Sequence, residues 1–140
     1  MKISTYISRG FIDFTLSLYY RSSSFNGSLN LLDLGCGIGT VSHKYLANSS
    51  SKGVLVDKYV CPLPECLRPN VRYFQEDILD FLNTYSGEPF DVVLLIDVLE
   101  HFSIADIQKI LSILPSILKP SGLVCVQVPN GESPFSMRNQ

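Results

Sequence analysis

The chain has 140 residues, of which 46% are hydrophobic and 17% charged, a composition typical of one soluble globular domain. Its 11 lysines and arginines against 13 aspartates and glutamates give a formal charge of −2, which argues against a broad nucleic-acid or anionic-membrane surface. No apolar run approaches the roughly 20 residues of a membrane span. The four cysteines have neither zinc-site nor redox-pair spacing, so we expect a cytoplasmic protein with reduced thiols.

The first part of the chain predicts a helix, a strand and a glycine-rich turn. Apolar residues recur every three or four positions over residues 4–21, which predicts an amphipathic helix. A buried strand is predicted at residues 29–34, and three alternating glycines lead from it into a short helix at residues 40–47. Glycine tolerates positive φ and has no Cβ, so backbone can pass close to a ligand here. The helix start would present free N–H groups to that ligand.

Strands and helices alternate over the rest of the chain, which indicates parallel strands connected by crossover helices. The further predicted strands are residues 53–57, 71–75, 91–96 and 123–128, and the further helices are residues 78–84 and a segment that begins after Ser103. Three prolines exclude a long helix over residues 58–70. Pro115 is expected to kink or interrupt the last helix before a turn at residues 119–122.

Acidic residues stand at or near the carboxyl ends of the predicted strands, namely Asp33, Asp57, Asp77 and Asp97. Because parallel strands end at one edge of a sheet, these side chains are expected at the edge where ligands bind in open α/β folds. The glycines themselves follow the spacing Asp-x-Gly-x-Gly-x-Gly. A dinucleotide fingerprint needs Gly-x-Gly-x-x-Gly or Ala, and neither frame of the turn supplies it.

The motif formed by Asp33, Gly35, Gly37 and Gly39 resembles that of class I S-adenosylmethionine-dependent methyltransferases. Residues 90–102 resemble the fourth-strand segment of that family, and residues 118–122 resemble its turn before strand five. The resemblance implies a three-layer α/β/α Rossmann-like sandwich with a mainly parallel sheet in the order 3-2-1-4-5. It also implies a single methyltransferase domain, with a helix and loop at residues 1–28, a core at 29–128 and a tail at 129–140.

The same resemblance implies which residues hold S-adenosylmethionine and its product S-adenosylhomocysteine. Asp33 would assist the glycine turn around the methionine part, Asp57 would accept from both ribose hydroxyls, and Asp77 would contact adenine. The expected cofactor-contacting residues are Asp33, Gly35, Cys36, Gly37, Gly39, Asp57, Lys58, Asp77, Ile78 and Asp97. Two simpler interpretations stay open: the glycines only make a tight turn, and Asp77 only caps the helix that follows it.

Asp97, Glu100 and His101 follow the fourth strand, where the methyl group and its acceptor meet in the resembled family. One interpretation makes His101 or Asp97 a general base toward a hydroxyl acceptor. A second compares Asp-x-x-Glu-His with the Glu-x-x-Glu-His metal site of small-RNA 2′-O-methyltransferases, but the sequence supplies no further ligand, so no metal is assigned. In a third, Glu100 and His101 only shape the next helix. The expected acceptor is an oxygen or nitrogen of a small molecule that the sequence does not identify.

The resembled fold continues after strand five with a helix and a β-hairpin, whereas this chain ends at Gln140. We therefore expect a member truncated at its C-terminus, without the hairpin. Strand five is then expected to need its tail, a second protomer of a homodimer or a partner chain along its edge. Two other functions remain as alternatives: a non-catalytic or weakly active cofactor-binding fragment that works with a partner chain, and an NAD-dependent oxidoreductase.

Overall fold

The strands of the protein form one parallel sheet. The computed structural model describes residues 2–6, 28–47 and 50–129. Its strands are β1 (Lys2–Tyr6), β2 (Asn30–Leu34), β3 (Lys52–Val56), β4 (Val71–Phe74), β5 (Phe90–Ile96) and β6 (Leu118–Gln127). They lie in the order β1-β6-β5-β2-β3-β4, and every neighbouring pair is parallel. From β4 to β6 this is the predicted order 3-2-1-4-5, which is thereby confirmed.

Within the described residues, three helices connect the strands from β2 to β6, and two of them begin at side-chain caps. They are α1 (Thr40–His43), α2 (Ile78–Thr84) and α3 (Ile104–Ile117), with single 3₁₀ turns at Pro64–Cys66 and Leu99–His101. Ser103 Oγ accepts the Asp106 N–H at 3.1 Å and donates to the Asp106 carboxylate at 2.8 Å, which satisfies an orphan donor at the start of α3. Over residues 58–70 the structure contains only the 3₁₀ turn and no long helix, as predicted from the three prolines.

Apolar side chains cover both faces of the sheet, which gives the layered α/β arrangement its core. One face packs against α2 and α3 through Phe81, Ile110 and Leu114. The other face packs beneath the α1 segment, where Leu46 is buried together with residues of β2 and β5. All seven residues of β5 are buried, which explains the apolar run from Val92 to Ile96. Within the described ranges, the structure contains no helix that is both long and apolar enough to span a membrane.

The N-terminus differs from its sequence prediction. A helix was expected from residue 4, but residues 4–6 belong to β1, which pairs in parallel with β6 from Leu123 to Gln127. The segment contains Ile3 and Thr5, whose branched Cβ atoms favour an extended chain, and pairing with β6 outweighs the helical spacing further along. The strand also occupies the β6 edge at which we expected the tail, a second protomer or a partner chain. The rest of the predicted helix, residues 7–21, and the predicted tail beyond residue 129 lie outside the described residues.

Two features around the end of α3 differ from the sequence prediction. Pro115, which was expected to kink or interrupt the helix, does not interrupt it: the helix runs on to Ile117, with Pro115 exposed in the last turn and Leu114 and Ile117 buried on either side of it. The predicted turn at residues 119–122 is an irregularity within β6. Leu118 pairs with Phe90 and the regular register then resumes at Leu123, so residues 119–122 bulge out of the ladder.

An ion pair between the buried Asp91 and the partly exposed Lys119 lies at the edge of the sheet away from the strand carboxyl ends. Asp91 is 8% exposed, and its two carboxylate oxygens accept from Lys119 Nζ at 2.9 and 2.8 Å. One of these oxygens also accepts the Asn30 N–H at 2.8 Å. Asp91 therefore connects β2, β5 and β6 to one another near the amino ends of these strands.

Removal of the lysine tests that connection. Lys119→Met is expected to lower the free energy of unfolding by about 2 kcal/mol, because a buried carboxylate loses its charged partner. The matched control is Lys109→Met, which breaks the exposed Lys109–Asp106 pair of α3 at 3.5 Å and should cost less than about 0.5 kcal/mol. Urea denaturation of both variants measures the difference. Equal losses for the two would show that Asp91 is not stabilised by Lys119.

Candidate functional site

A cleft of about 560 Å³ opens at the carboxyl ends of β2, β3, β4 and β5. β3, β4 and β5 end just before polar residues and β2 ends at the glycine turn, so the sheet brings together residues that are far apart in sequence. The lining residues are Gly35, Gly37, Asp57, Lys58, Tyr59, Val60, Asp77, Ile78, Asp97, Val98, His101 and Phe102. The cleft thus combines three carboxylates and one lysine with apolar walls, a composition suited to an organic ligand with polar groups.

The glycine turn forms the floor of this cleft, and its three glycines have different surroundings. All have positive φ, at 74° for Gly35, 53° for Gly37 and 83° for Gly39. A Cβ on Gly35 would lie 2.5 Å from Val98 Cγ2, and a Cβ on Gly39 would lie 3.1 Å from Cys66 Cβ. A Cβ on Gly37 would meet none of the described atoms within 4 Å. Gly35 and Gly39 therefore permit close packing, while Gly37 leaves room for a ligand beside the backbone.

Asp57 connects the glycine turn with the loop that follows β3. Its Oδ2 accepts the Gly37 N–H at 2.9 Å. Its Oδ1 accepts the N–H groups of Tyr59 and Val60 at 2.9 and 2.8 Å. Each carboxylate oxygen has about two acceptor positions, so Oδ2 keeps one that is free for a ligand hydroxyl. The aspartate at the end of β3 is thereby fixed in place by backbone donors.

Asp77 both caps a helix and lines the cleft. Its Oδ1 accepts the Leu79 N–H at 2.9 Å, which makes it the N-cap of α2. Its Oδ2 lies 3.4 Å from Lys58 Nζ, and the next residue, Ile78, contributes an apolar part of the wall. The alternative interpretation of Asp77 as a helix cap is therefore confirmed, and it does not exclude a ligand contact, since the same side chain reaches the cleft.

Asp33 and Cys36 lie beneath the cleft rather than along its wall. Asp33 is 2% exposed, and its Oδ2 has no hydrogen-bond partner among the residues described. Burial raises the pKa of Asp33 from its ordinary 3.8 to about 7; the nearby Ser42 hydroxyl partly opposes this, and the Asp57 charge adds to it. Burial also raises the pKa of Cys36, so its thiol is protonated.

Asp97 is held in an unusual backbone conformation at the end of β5. Its φ of 53° makes it the one non-glycine residue with positive φ in the described part of the chain. The Asp97 N–H donates to the Gln127 carbonyl at 2.9 Å, and Gln127 Nε2 donates to Oδ1 and Oδ2 of Asp97 at 3.1 and 3.3 Å. Gln127, the last residue of β6, therefore fixes both the backbone and the carboxylate of Asp97.

His101 lies on the cleft and Glu100 does not. The His101 side chain is 74% exposed, and its Nε2 is 4.0 Å from Glu100 Oε1. Over the ranges that the structure describes, no three His, Cys, Asp or Glu side chains are grouped closely enough to hold a metal ion. Both residues belong to the 3₁₀ turn before α3, while the N-cap of that helix is Ser103.

Several residues of the cleft were not singled out from the sequence. They are Tyr59, Val60, Val98, Phe102 and, behind the wall, Gln127. Tyr59 and Val60 are two and three residues after Asp57, so their position just past a strand end was an available signal. Gln127 had no such signal, because its contact with Asp97 depends on the register between β5 and β6. The predicted residue Gly39 lies against Pro62 and Cys66 and is not part of the wall.

Residues 9–140 match the sequence profile of a family described as methyltransferase domain. The chain belongs to this family. The crystal structure of the N-methyltransferase NodS from Bradyrhizobium japonicum WM9, in complex with S-adenosyl-l-homocysteine, superposes on this methyltransferase domain with a TM-score of 0.59 at 18% identity. The match covers 84% of this chain and 60% of that one. The α/β Rossmann-like methyltransferase fold implied by the resemblance is thus confirmed.

Two curated relatives match the methyltransferase domain in sequence. The tRNA N(3)-cytidine methyltransferase METTL2 of Xenopus tropicalis is 27% identical over 115 residues, which are 73% of this chain and 34% of that protein. The mitochondrial ubiquinone biosynthesis O-methyltransferase of Dictyostelium discoideum is 25% identical over 116 residues, which are 73% of this chain and 36% of that protein. The chain therefore spans about one third of the length of these relatives.

Proposed function

We propose that this domain is a cytoplasmic enzyme that binds S-adenosylmethionine in the cleft and transfers its methyl group to an oxygen or nitrogen of a small molecule. The observation that carries the proposal is the meeting of the Gly37 backbone with Asp57 and Asp77 at one end of a cleft above parallel strands. Membership of the methyltransferase-domain family supports it. All four cysteines are free, which fits a reducing compartment.

The residues present fit this cofactor. The floor is open beside Gly37, where any side chain would occupy the space. Asp57 Oδ2, held by the Gly37 N–H, has an acceptor position left for a ribose hydroxyl. Asp77 and Ile78 offer an acceptor and an apolar surface to the base. Asp33 supports the turn from below, since its side chain is buried.

In this reaction the main task of the protein is to align the methyl group with the acceptor atom. The sulfonium of the bound cofactor supplies an activated methyl group, which a lone pair of the acceptor takes by in-line displacement, leaving S-adenosylhomocysteine as the thioether. The cleft aligns the two reactants, and pre-alignment of this kind lowers the barrier without covalent help from the protein. For a hydroxyl acceptor, His101 is the proposed group that takes its proton, because an imidazole nitrogen can accept a proton and this side chain is exposed on the cleft. Glu100 stands beside it at 4.0 Å.

The charge of the cleft favours a small acceptor over a nucleic acid. Among the residues that the structure describes, Asp57, Asp77 and Asp97 line the cleft together with one lysine, Lys58, which already lies 3.4 Å from Asp77. A phosphate backbone would be repelled by such a lining. One relative methylates a tRNA cytidine nitrogen and the other is named as an O-methyltransferase, so both oxygen and nitrogen acceptors are retained in the proposal.

Cofactor binding and turnover are tested separately. Thermal shift with S-adenosylmethionine, S-adenosylhomocysteine and NAD is expected to show stabilisation by the first two alone. A methyl-release assay across oxygen and nitrogen acceptors then tests transfer. Binding without turnover would favour the alternative of a cofactor-binding fragment that works with a partner chain. Stabilisation by NAD alone would overturn the proposal in favour of an oxidoreductase.

Asp57→Ala is expected to weaken binding of S-adenosylhomocysteine by about 10- to 100-fold, since hydrogen bonds to a charged acceptor contribute about 1.5–3 kcal/mol. Isothermal titration calorimetry measures the change. Glu76→Ala, which removes an exposed acid outside the cleft lining, is the matched control and should bind normally. Asp57→Asn keeps an oxygen for the Tyr59 and Val60 N–H groups and so separates binding from loop stability. Unchanged affinity in both Asp57 variants would remove the ribose assignment.

A further inference from the structure

The three carboxylates of the cleft differ in how their charge is satisfied. Asp57 accepts three backbone N–H groups. Asp77 accepts a backbone N–H at the start of α2 and lies beside Lys58. The carboxylate of Asp97 accepts only from the neutral side-chain amide of Gln127, as far as the described residues extend. Asp97 is therefore the cleft carboxylate with the most negative charge left to offer a cation.

Gln127 holds Asp97 ready in a single orientation. Its Nε2 donates to both oxygens of Asp97, and its own carbonyl accepts the Asp97 N–H. Both residues have an unfavourable feature in this arrangement: Asp97 has a φ of 53°, and Gln127 Oε1 is buried with no hydrogen-bond partner in the described part of the protein. A backbone conformation of this kind is strained for a residue other than glycine and is typical of functional sites.

Sheet order places Asp97 at one end of the cleft. Along the edge, Asp77 after β4 and Asp57 after β3 come first, then the glycine turn after β2, and Asp97 follows β5 on the far side. If the nucleoside occupies the Asp57 and Asp77 end, as the proposed function requires, the remainder of the cofactor extends toward Asp97. That remainder carries α-amino and α-carboxyl groups, which both cofactor forms share, and the sulfonium, which is cationic in S-adenosylmethionine and becomes a neutral thioether after transfer.

We infer that Asp97 is the group by which this domain distinguishes S-adenosylmethionine from S-adenosylhomocysteine, and that Gln127 is its positioning residue. The carboxylate attracts the sulfonium cation, and the attraction disappears when the methyl group leaves and the sulfur becomes neutral. The pair therefore favours entry of the substrate form and release of the product form. This inference rests on the proposed function.

The test compares the two cofactor forms on matched variants. Calorimetry with S-adenosylmethionine and with S-adenosylhomocysteine is run on the unsubstituted chain, Asp97→Asn, Gln127→Met and the control Gln108→Met, an exposed glutamine of α3. Asp97→Asn is expected to weaken S-adenosylmethionine by about 10-fold and S-adenosylhomocysteine by less than about 2-fold, because an ion pair near a protein surface is partly screened. Gln127→Met should lower the ratio of the affinity for S-adenosylmethionine to that for S-adenosylhomocysteine by about 3-fold, since the carboxylate loses a neutral donor. Gln108→Met should leave this affinity ratio unchanged.

Asparagine accepts positive φ and has nearly the shape of aspartate, and retained binding of S-adenosylhomocysteine shows that Asp97→Asn is folded. Equal weakening of both ligands in Asp97→Asn would overturn the inference, because the carboxylate would then contact a group that both forms carry. Unchanged affinities for both ligands in Asp97→Asn would overturn the inference as well. A Gln127→Met variant that loses both affinities equally would reduce Gln127 to a structural residue. If the unsubstituted chain binds neither ligand, the proposed function itself fails and the inference with it.

Discussion

Gly35→Ala is expected to lower the free energy of unfolding by about 3 kcal/mol or more, the largest loss at the glycine turn. Two effects combine. An alanine at a φ of 74° adopts a left-handed conformation, which costs roughly 1–2 kcal/mol. Its Cβ would also lie 2.5 Å from Val98 Cγ2, within a segment that closes the core behind the cleft. Urea denaturation of the purified variant measures the loss.

The matched control for that variant is Gly37→Ala, two residues further along the same turn. Its φ of 53° carries a similar backbone cost, but its Cβ meets none of the described atoms within 4 Å. We expect a loss of only about 1 kcal/mol in stability, together with weaker cofactor binding because the methyl group occupies the cleft floor. Equal stability losses for the two variants would contradict the contact between Gly35 and Val98.

The sheet from β2 to β6 could be predicted because each of its strands has a sequence pattern that is visible within a few consecutive residues. An apolar run of strand length that ends in a polar residue is visible in the sequence, as β5 shows by being buried along all seven residues. The start of α3 was equally local, since Ser103 and Asp106 have the spacing of a helix cap. Asp57 and Asp77 could be placed at the cleft because they follow such runs.

What the sequence did not predict depends on pairing between distant segments. β1 is a strand because β6 offers it an edge, and nothing within residues 2–6 specifies that partner. Gln127 reaches Asp97 because the register of β5 and β6 sets Ile96 opposite Gln127. The complete burial of Asp33 likewise follows from packing around β2 rather than from its motif, which had indicated a residue beside the ligand.

That burial predicts an unusual dependence of stability on pH. The pKa of Asp33 is raised by burial from 3.8 to about 7, so the folded chain binds this proton more tightly than the unfolded chain does. Folding stability therefore falls as the pH rises from about 4 to about 7 and levels off above that range. The difference between the two values corresponds to a penalty on the order of 4 kcal/mol for an ionised Asp33 in the folded state.

Asp33→Asn is expected to remove this slope. At pH 3.5, below the unfolded pKa of 3.8, the variant and the unsubstituted chain should have similar stability, because Asp33 is mostly neutral in both the folded and the unfolded chain, whereas at pH 8 the variant should be more stable by up to about 4 kcal/mol. Urea denaturation at a series of pH values measures both curves. Glu65→Gln, a substitution of an exposed acid, serves as the control and should leave the slope in place.

Substitution of Asp57 tests which cause raises the pKa of Asp33. It contributes to the raised pKa of Asp33, after burial, so Asp57→Asn should narrow the range over which stability falls. The narrowing should be small, because burial is the larger cause and remains in the variant. A slope that disappears in Asp57→Asn would mean that charge repulsion, and not burial, controls the protonation of Asp33. A slope that persists in Asp33→Asn would assign the pH dependence to another group altogether.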